Sequence, residues 1–173
     1  MLQAVDDATR PVWDRLVHAY EYEFSRITGK EPEPDGSIAP DTILGGNVRG
    51  WIWRLDGRPA GLAAVVDRGD HREVAEFYVV PRWRGRGQGR ELAKALFDAS
   101  PGCWVVKQLV DAPQARAFWK RCLATLPCRN LSESEFRDPY WGPVVRQEFH
   151  WTGSGAATRH GRGPRQPVHV LPL

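Results

Sequence analysis

Arg84-Gly85-Arg86-Gly87-Gln88-Gly89-Arg90 stands between an apolar, strand-like stretch, 75–80, and an amphipathic, helix-like one, 91–99. Glycines allow consecutive backbone N–H groups to surround one oxyanion, because no Cβ atoms stand in the way. The start of a helix adds free N–H groups and partial positive charge. The three arginines add forked donors that suit phosphate oxygens. Residues 84–90, which we call the glycine loop, therefore predict a strand–loop–helix unit that binds a phosphate-bearing ligand.

The spacing within the glycine loop excludes two common phosphate-binding motifs. A P-loop needs a Lys-Ser/Thr pair after its last glycine, where this chain has Arg90-Glu91. A dinucleotide fingerprint needs glycines at its first, third and sixth places, and neither Gly85 nor Gly87 begins such a set. Two other interpretations are a solvated basic turn and a piece of an RNA-binding Arg-Gly segment. The strand and helix patterns on either side disfavour both.

The remaining pattern, Arg-x-x-Gly-x-Gly preceded by Phe77-Tyr78-Val79-Val80-Pro81, resembles the pyrophosphate loop of the GCN5-related N-acetyltransferases (GNAT). That family binds acetyl-coenzyme A (acetyl-CoA). The resemblance extends from about Val12 to Trp151 and is strongest from Gly50 to Arg121. A subgroup of mostly uncharacterised bacterial acetyltransferases is more similar still. It shares the Phe118-Trp119 pair, Gln108 and the Trp-Gly-Pro-Val of residues 141–144.

Composition agrees with one enzyme domain. The 173 residues are enough for a single core, and 42% hydrophobic with 26% charged residues are ordinary globular values. The net charge of +3 suits an anionic cofactor and does not require nucleic acid, so no nucleic-acid partner is expected. Cys103, Cys122 and Cys128 show neither paired spacing nor a histidine cluster. This pattern predicts reduced thiols and no metal site.

No stretch approaches the roughly 20 apolar residues of a membrane span, and the acidic N-terminus lacks the apolar segment of a signal peptide. We therefore expect a cytoplasmic protein with no membrane partner. From Thr152 onward the composition shifts to Gly, Pro, Arg and His. Residues 1–151 are thus predicted to form one domain and 152–173 a flexible tail. The basic segment 160–165 of that tail also suits contact with an acidic partner.

Hydrophobic periodicity predicts a mixed order of helices and strands. Apolar residues recur at helical spacing from Val12 to Phe24, after a helix start at Thr9–Pro11. Residues 29–46, rich in proline, glycine and acids, are predicted to form a loop. Asp56-Gly57 is predicted to join two strands as a hairpin. The later predicted elements are a strand over 72–80, a helix over 89–99, a strand over 103–110, a helix from 111–113 to 126 and a last strand over 144–151.

The resemblance implies a GNAT fold, in which a mixed, mostly antiparallel central sheet splays into a V-shaped cleft and is flanked by helices. The pantetheine arm of the cofactor lies in the V and pairs with the backbone of the strand before the loop, here that of Phe77, Val79 and Val80. The implied cofactor site also contains Trp119 and the loop residues Arg84, Gly85, Arg86, Gly87, Gln88, Gly89 and Arg90. Such domains often form homodimers through sheet edges, and the last strand is expected to offer such an edge.

Acetyl transfer to an amine requires an unprotonated amine, a polarised thioester carbonyl and a proton for the departing thiolate. Many family members place a glutamate base in the strand before the loop, where this chain has Glu73 and Glu76. Regular alternation puts these two on opposite faces unless a bulge intervenes. We favour Glu76, because it is nearer the thioester end and its apolar neighbours raise a carboxyl pKa. The Val79 N–H is the candidate oxyanion donor.

The last core helix departs from the family pattern, which often reads Asn-x-x-Ala-x-x-Phe-Tyr with the tyrosine protonating the thiolate. This chain has Ala112, Ala115, Phe118 and Trp119 in those places. An indole N–H is a poor acid, so Trp119 is expected to pack or to shape the cofactor pocket. The thiolate proton is then expected from solvent, Tyr78 or Tyr140. The missing phenol leaves a non-catalytic coenzyme A-binding module as an alternative.

The acceptor is expected to enter opposite the cofactor, against the first helix and the loop after it. The candidate contacts are Tyr20, Glu21, Glu23, Phe24, Asp35, Glu76, Gln108 and Trp141. Tyrosine, glutamate and tryptophan side chains together suit a cationic amine. We therefore expect an acetyl-CoA-dependent N-acetyltransferase that acts on a primary amine of a small molecule by direct attack in a ternary complex. A peptide N-terminus or a lysine is the alternative acceptor.

Overall fold

A seven-stranded sheet forms the centre of the molecule in the structure, a computed structural model that describes residues 1–154. Its strands are β1 (Leu2–Ala4), β2 (Val48–Leu55), β3 (Arg58–Asp67), β4 (Arg72–Val79), β5 (Gly102–Leu109), β6 (Cys128–Asp138) and β7 (Gly142–Trp151). The spatial order is β1-β2-β3-β4-β5-β7-β6. Every neighbouring pair is antiparallel except β4 and β5. The predicted α/β class with a mixed, mostly antiparallel sheet is confirmed.

Three helices cover the two faces of the sheet. Helix α1 (Arg10–Thr28) packs on one face, where Trp13, Leu16 and Val17 contact a cluster that includes Ile52 and Leu62. Helices α2 (Gln88–Asp98) and α3 (Pro113–Thr125) pack on the other. The core on that side includes Leu92, Leu96, Phe97, Trp104, Trp119, Leu123 and Trp151. Burial of each such large side chain contributes about 1.5–3 kcal/mol to folding.

Short-range signals set several element boundaries where the sequence predicts them. Helix α1 follows Thr9, whose N–H donates to Asp6 Oδ1 at 2.8 Å, and it ends at Gly29, which has a φ of 72°. The hairpin between β2 and β3 turns at Asp56 and Gly57. Their φ values of 48° and 75° are both positive, as a type I′ turn requires. The helix and the hairpin are therefore confirmed.

Two strands are not predicted from the sequence. Strand β1 has only three residues and pairs with β2. Strand β6 is an edge strand, and none of its residues from Cys128 to Arg137 is buried. It therefore carries no apolar alternation, and its partner β7 determines that it is a strand.

The structure corrects the expected dimerisation edge. Strand β7 lies between β5 and β6, so both of its edges are already paired. The expectation that the last strand offers a free edge is wrong, because β6 folds back alongside it. The exposed edge at this end of the sheet belongs to β6, and homodimer formation stays a prediction.

The predicted tail, 152–173, lies outside the described residues apart from 152–154. Within this short part, the Ser154 N–H donates to Asp98 Oδ1 at 2.9 Å. The basic segment 160–165 also lies outside the described residues. Between residues 1 and 154, no helix combines the length and the apolarity that crossing a membrane would demand.

Candidate active site

The site lies where β4 and β5 separate. The two parallel strands pair only over Arg72–Val74 and Trp104–Val106, although β4 continues to Val79 and β5 to Leu109. Beyond these pairs the strands border a cavity of ≈ 1280 Å³. Residues from α1, the loop after it, the glycine loop, α3 and the β6–β7 turn complete its walls. The predicted V-shaped cleft is therefore present.

A β-bulge at Ala75 shapes β4 at the cleft. Ala64 of β3 pairs with Glu76, whereas the next residue, Val65, pairs with Val74, so Ala75 is one extra residue on β4. The extra residue reverses the alternation that follows it. Glu73 and Glu76 consequently share the α1 face, and both line the cavity. Regular alternation, which would separate them, does not apply here.

Glu76 is a buried carboxylate, with 6% of its surface exposed. The Thr42 hydroxyl donates to its Oε1, and the Tyr20 hydroxyl is a second neighbour. Burial raises the pKa of Glu76 to about 7, although hydrogen bonding with Thr42 and Tyr20 opposes the shift. Glu76 can therefore take up and release a proton near neutral pH, as a general base must.

Glu73 has a different environment, although it shares the face. Its carboxylate accepts from Lys107 Nζ at 2.8 Å and lies 3.5 Å from Arg68 Nε. Lys107 also contacts Asp138 at 2.7 Å. Glu73 is therefore held in an ion-pair network with Lys107 and Arg68. The preference for Glu76 over Glu73 as the base stays a prediction.

The backbone of β4 presents alternate amide groups to the cleft. The Val80 N–H donates to the Ala60 carbonyl at 2.9 Å, and the Val80 carbonyl accepts from the Trp83 N–H at 2.8 Å. Both backbone groups of Val80 are therefore engaged within the protein, and its expected pairing with the cofactor stays a prediction. Since successive amides of a strand point to opposite sides, those of Phe77 and Val79 point away from β3 and towards the cleft.

The glycine loop provides an open cradle at the start of α2. Gly85 and Gly87 have φ values of 70° and 78°, and a Cβ at either would meet no atom within 4 Å. Gly87 is the N-cap of α2 and provides no side-chain acceptor for the first N–H groups of the helix. The Gln88 side chain is engaged elsewhere, because its Oε1 accepts from Trp53 Nε1 at 3.1 Å. The backbone, rather than this side chain, faces the candidate ligand.

The arginines of the loop have separate positions. Arg84 donates through Nε to the Val79 carbonyl at 2.7 Å, and its two terminal nitrogens bind the Glu23 carboxylate. Arg86 is exposed and does not line the cavity. Arg90 lines the cavity and reaches Thr125 Oγ1 at 3.2 Å. Arg121 of α3 lines the cavity as well and is missing from the predicted set; its place three residues after Phe118 on the helix is a signal that could have indicated it.

Aromatic rings form the wall of the cavity nearest α1. The Tyr20 ring stacks on Phe24 at 5.3 Å and lies 5.7 Å from Tyr78, and Phe24 meets Trp141 edge-on at 6.2 Å. These four residues, which we call the aromatic wall, all line the cavity. The structure thus brings together Tyr20, Phe24, Glu76 and Trp141, which the sequence analysis assigns to the acceptor.

Other predicted acceptor residues lie elsewhere. Glu23 lines the cavity but is paired with Arg84. Glu21 is buried against Lys30, and Asp35 is exposed beside Ser37; neither lines the cavity. Their assignment as acceptor contacts is therefore corrected. Gln108 lines the cavity, on the face of the sheet opposite the aromatic wall.

The loop between α1 and β2 contributes cavity residues that no sequence pattern predicts. Asp41 and Thr42 line the cavity, and the Tyr140 hydroxyl of the β6–β7 turn donates to Asp41 at 3.0 Å. Lys30 also binds Asp41, at 2.7 Å. The contact between Tyr140 and Asp41 joins segments about 100 residues apart, so no local sequence pattern predicts it.

Trp119 and its neighbours occupy the α3 side of the cleft. The Trp119 ring meets Phe77 edge-on at 4.8 Å, and Phe118 stacks on Phe77 at 5.5 Å. Trp119 is buried and lines the cavity. It packs and shapes the cleft, as expected for a side chain without an acidic proton.

The sequence profile of the acetyltransferase (GNAT) family matches residues 12–123, a span that includes β4, the glycine loop and most of α3. The chain belongs to the GNAT family of acetyltransferases. No curated protein matches the chain significantly in sequence.

Solved structures of several acetyltransferases share the fold. The ribosomal-protein-S18-alanine N-acetyltransferase of Escherichia coli is 14% identical in sequence and superposes with a TM-score of 0.59. The alignment covers 91% of this chain and 97% of the E. coli chain. The spermidine N-acetyltransferase of Vibrio cholerae, in complex with CoA and spermine, is 13% identical with a TM-score of 0.55, covering 87% and 95%. A Bacteroides thetaiotaomicron protein assigned to the GNAT acetyltransferases is 18% identical with a TM-score of 0.58, covering 86% and 85%. At these identities the likeness shows the fold.

Proposed function

We propose that this GNAT protein transfers the acetyl group of acetyl-CoA to a primary amine of a cationic small molecule. The observation that carries the proposal is the position of Glu76. Its buried carboxyl group, with a pKa of about 7, lies where the aromatic wall meets the unpaired edge of β4. A base, an aromatic surface for a cation and free backbone amides for an acyl donor thus converge on one cavity.

The cleft fits the cofactor that the family uses. The open cradle of the glycine loop and the uncapped N-terminus of α2 would hold its phosphates, with the nearby charges of Arg90 and Arg121. The Phe77 and Val79 amides would pair with its amide-bearing arm. Phe77, Phe118 and Trp119 would provide apolar contacts beside that arm. Arg84 would hold the position of the loop rather than contact the phosphates, since its guanidinium binds Glu23.

When bound, acetyl-CoA supplies an acetyl thioester. Glu76 accepts a proton from the acceptor ammonium, because only the neutral amine has a lone pair for attack at a carbonyl carbon. The Val79 N–H donates to the carbonyl oxygen as negative charge develops there. The thiolate would take its proton from solvent or from the Tyr78 hydroxyl, although burial and the nearby Glu23 raise the pKa of Tyr78 and so make it a weaker acid. The attacking nitrogen would release its remaining extra proton to solvent as the neutral amide forms.

The aromatic wall favours a cationic acceptor. Ring faces attract ammonium groups, and the Tyr20, Phe24 and Trp141 rings border the cavity above Glu76. One structural relative is titled a spermidine N-acetyltransferase and binds spermine, which agrees with an acceptor of this class.

A second candidate is the N-terminal amine of a peptide or protein. Ile43 and Tyr140 line the cavity and are each 73% exposed, and Ile27 is also exposed beside them. An apolar rim of this kind would contact an acceptor larger than a diamine. Another relative is titled a ribosomal-protein alanine N-acetyltransferase.

The test is release of free thiol from acetyl-CoA across a panel of polyamines, aminoglycosides, amino acids and short peptides. We expect turnover with at least one cationic small amine and a loss of at least about 100-fold in kcat/KM in Glu76→Gln. Glu135→Gln, on the exposed strand β6, is the matched control and should leave turnover unchanged. Turnover with peptides alone would select the second candidate. Coenzyme A binding without turnover on any amine would identify a non-catalytic module.

A further inference from the structure

Gln108 is an unusual buried side chain. Only 4% of its surface is exposed, yet neither its Nε2 nor its Oε1 has a hydrogen-bond partner. Within residues 1–154, the only other buried side-chain atom without a partner is Gln147 Oε1. An unpaired buried amide costs about 1–3 kcal/mol for each unsatisfied group. At the wall of a cavity, such an amide is placed to bind a group that enters the cavity.

The position of Gln108 on β5 directs it into the cleft. It comes two residues after Val106, the last β5 residue that pairs with β4. The pairing of β5 with β7 has no bulge, so side chains along β5 alternate regularly between the two faces. Because Trp104 and Val106 face α2 and α3, alternation places Gln108 on the same side. Ala112, the N-cap of α3, and Ala115 also line the cavity, and their methyl groups offer no hydrogen bond. The free amide therefore points to the α3 side of the cavity, away from the aromatic wall.

We propose that Gln108 binds a secondary amide of the pantetheine arm of the cofactor, and so positions the arm rather than the acceptor. The inference rests on the proposed function. Nε2 donates to an amide carbonyl, and Oε1 accepts from an amide N–H. Both free atoms are satisfied only by a ligand that carries a donor and an acceptor together. Neither a thioester carbonyl, which only accepts, nor an ammonium group, which only donates, does so.

The arm is also the part of the cofactor that must reach this point. The phosphates are assigned to the glycine loop, and the thioester must lie near Glu76 on the other side of β4. Only the chain between them crosses the space between β4 and β5, where Phe77 presents its backbone from one strand and Gln108 its side chain from the other. An amide chain there gains hydrogen bonds from both strands.

The test compares Gln108→Met with the wild type by calorimetric titration with two ligands, coenzyme A and adenosine 3′,5′-bisphosphate, which lacks the arm. We expect coenzyme A affinity to fall about 10-fold, as for the loss of a buried hydrogen-bonded amide, and bisphosphate affinity to stay within about 2-fold. We also expect the free variant to be at least as thermostable as the wild type, because methionine fills the site without unpaired polar atoms.

Gln147→Met is the control for coenzyme A affinity, since Gln147 is similarly buried, lies on β7 beside β5 and does not line the cavity. Its Nε2 donates to Glu133 Oε2 at 2.7 Å, so the comparison with Gln108→Met concerns affinity and not stability. Gln147→Met should leave coenzyme A affinity unchanged. An independent measurement follows the assigned Gln108 side-chain amide signal of 15N-labelled wild type by NMR. The signal should shift with coenzyme A and not with the bisphosphate, a result that requires no variant to fold.

Each contrary outcome has one meaning. Equal coenzyme A affinity in the wild type and Gln108→Met, with no shift of the amide signal, overturns the inference and leaves the proposed function standing. Destabilisation by Gln108→Met with unchanged coenzyme A affinity shows that the Gln108 amide has a partner within the free protein, and overturns the inference as well. If the folded wild type binds no coenzyme A, the proposed function itself fails and the inference fails with it.

Discussion

Arg84 of the glycine loop binds the carboxylate of Glu23 on α1 with both terminal nitrogens, at 2.5 Å and 2.8 Å, while its Nε holds the Val79 carbonyl. The guanidinium also lies over the Tyr78 ring at 5.2 Å. One side chain thus connects the helix that supports the aromatic wall, the strand that presents the Val79 amide and the loop assigned to the phosphates. The acceptor and cofactor sides of the cavity share a structural link.

The strength of this link can be measured by a double-mutant cycle. Glu23→Gln, Arg84→Gln and the double variant should give a coupling free energy of unfolding of about 0.5–1 kcal/mol, kept small because both side chains are more than a third exposed. The matched control is the single-contact pair Arg10–Asp14 on the exposed surface of α1, with an expected coupling of about 0.3 kcal/mol. Equal couplings in the two cycles would show that bidentate geometry adds nothing here.

Glu76 should make the protein less stable as pH rises. The carboxyl pKa increases from its ordinary value of 4.5 to about 7 on folding, so the folded state holds the proton more tightly than the unfolded chain. The contribution of Glu76 to the free energy of unfolding is therefore fully present below pH 4.5 and declines until about pH 7, by on the order of 3 kcal/mol. Urea unfolding at several pH values should show this decline in the wild type and a flatter profile in Glu76→Gln. A profile that is identical in Glu76→Gln and the wild type would contradict the assignment.

Thr42 should lower the pKa of Glu76 without contacting the reacting atoms. Its hydroxyl donates to Glu76 and opposes the effect of burial on the pKa of that carboxyl group. Thr42→Val removes the donor, so the acidic limb of the kcat/KM profile should move to higher pH. A lower kcat/KM at every pH with an unmoved limb would instead indicate a packing role for Thr42.

Asp98 should stabilise the end of the domain down to low pH. Hydrogen bonds from Ser154 and Trp151, together with Lys94 at 3.0 Å, outweigh burial and lower its pKa to about 2. This contribution is present above the ordinary value of 3.8 and is lost as pH falls towards 2; it amounts to about 2 kcal/mol. Thermal unfolding at pH 7 should show a loss in Asp98→Asn that vanishes near pH 2. Asp7→Asn, at an exposed site, should show no such difference.

The Phe118 ring should determine which residues are tolerated at position 89. A Cβ at this position would lie 2.8 Å from Phe118 Cε2, so Gly89→Ala should cost about 1–3 kcal/mol by displacing the ring that stacks on Phe77. Chemical denaturation should show that Phe118→Leu relieves most of this cost. Gly85→Ala is the contrast, because its cost comes from the positive φ, and Phe118→Leu should not relieve it. If Phe118→Leu does not restore the stability of Gly89→Ala, the cost of the substitution comes from the backbone and not from the Phe118 ring.

Local patterns in the sequence account for much of the fold. The helical spacing in α1, the Asp56-Gly57 turn and the strand–loop–helix unit around the glycine loop are each encoded within about one helix or hairpin length of chain. In each case the burial of a repeating apolar face, or a φ value that only certain residues adopt, suffices to specify the element. Strands β1 and β6 lack such a signal, since one is too short and the other too polar.

The sequence by itself determined the family motif, the class of fold and the residues most suited to chemistry, because their types and spacings are local properties. Tertiary structure decided how those residues are used. The bulge at Ala75 depends on pairing with β3, and it places Glu73 and Glu76 on one face. Lys107 forms an ion pair with Glu73, and Arg84 forms one with Glu23. The side-chain amide of Gln108 has no hydrogen-bond partner within the described residues. Each outcome depends on residues distant in the chain, which become neighbours only when the sheet assembles.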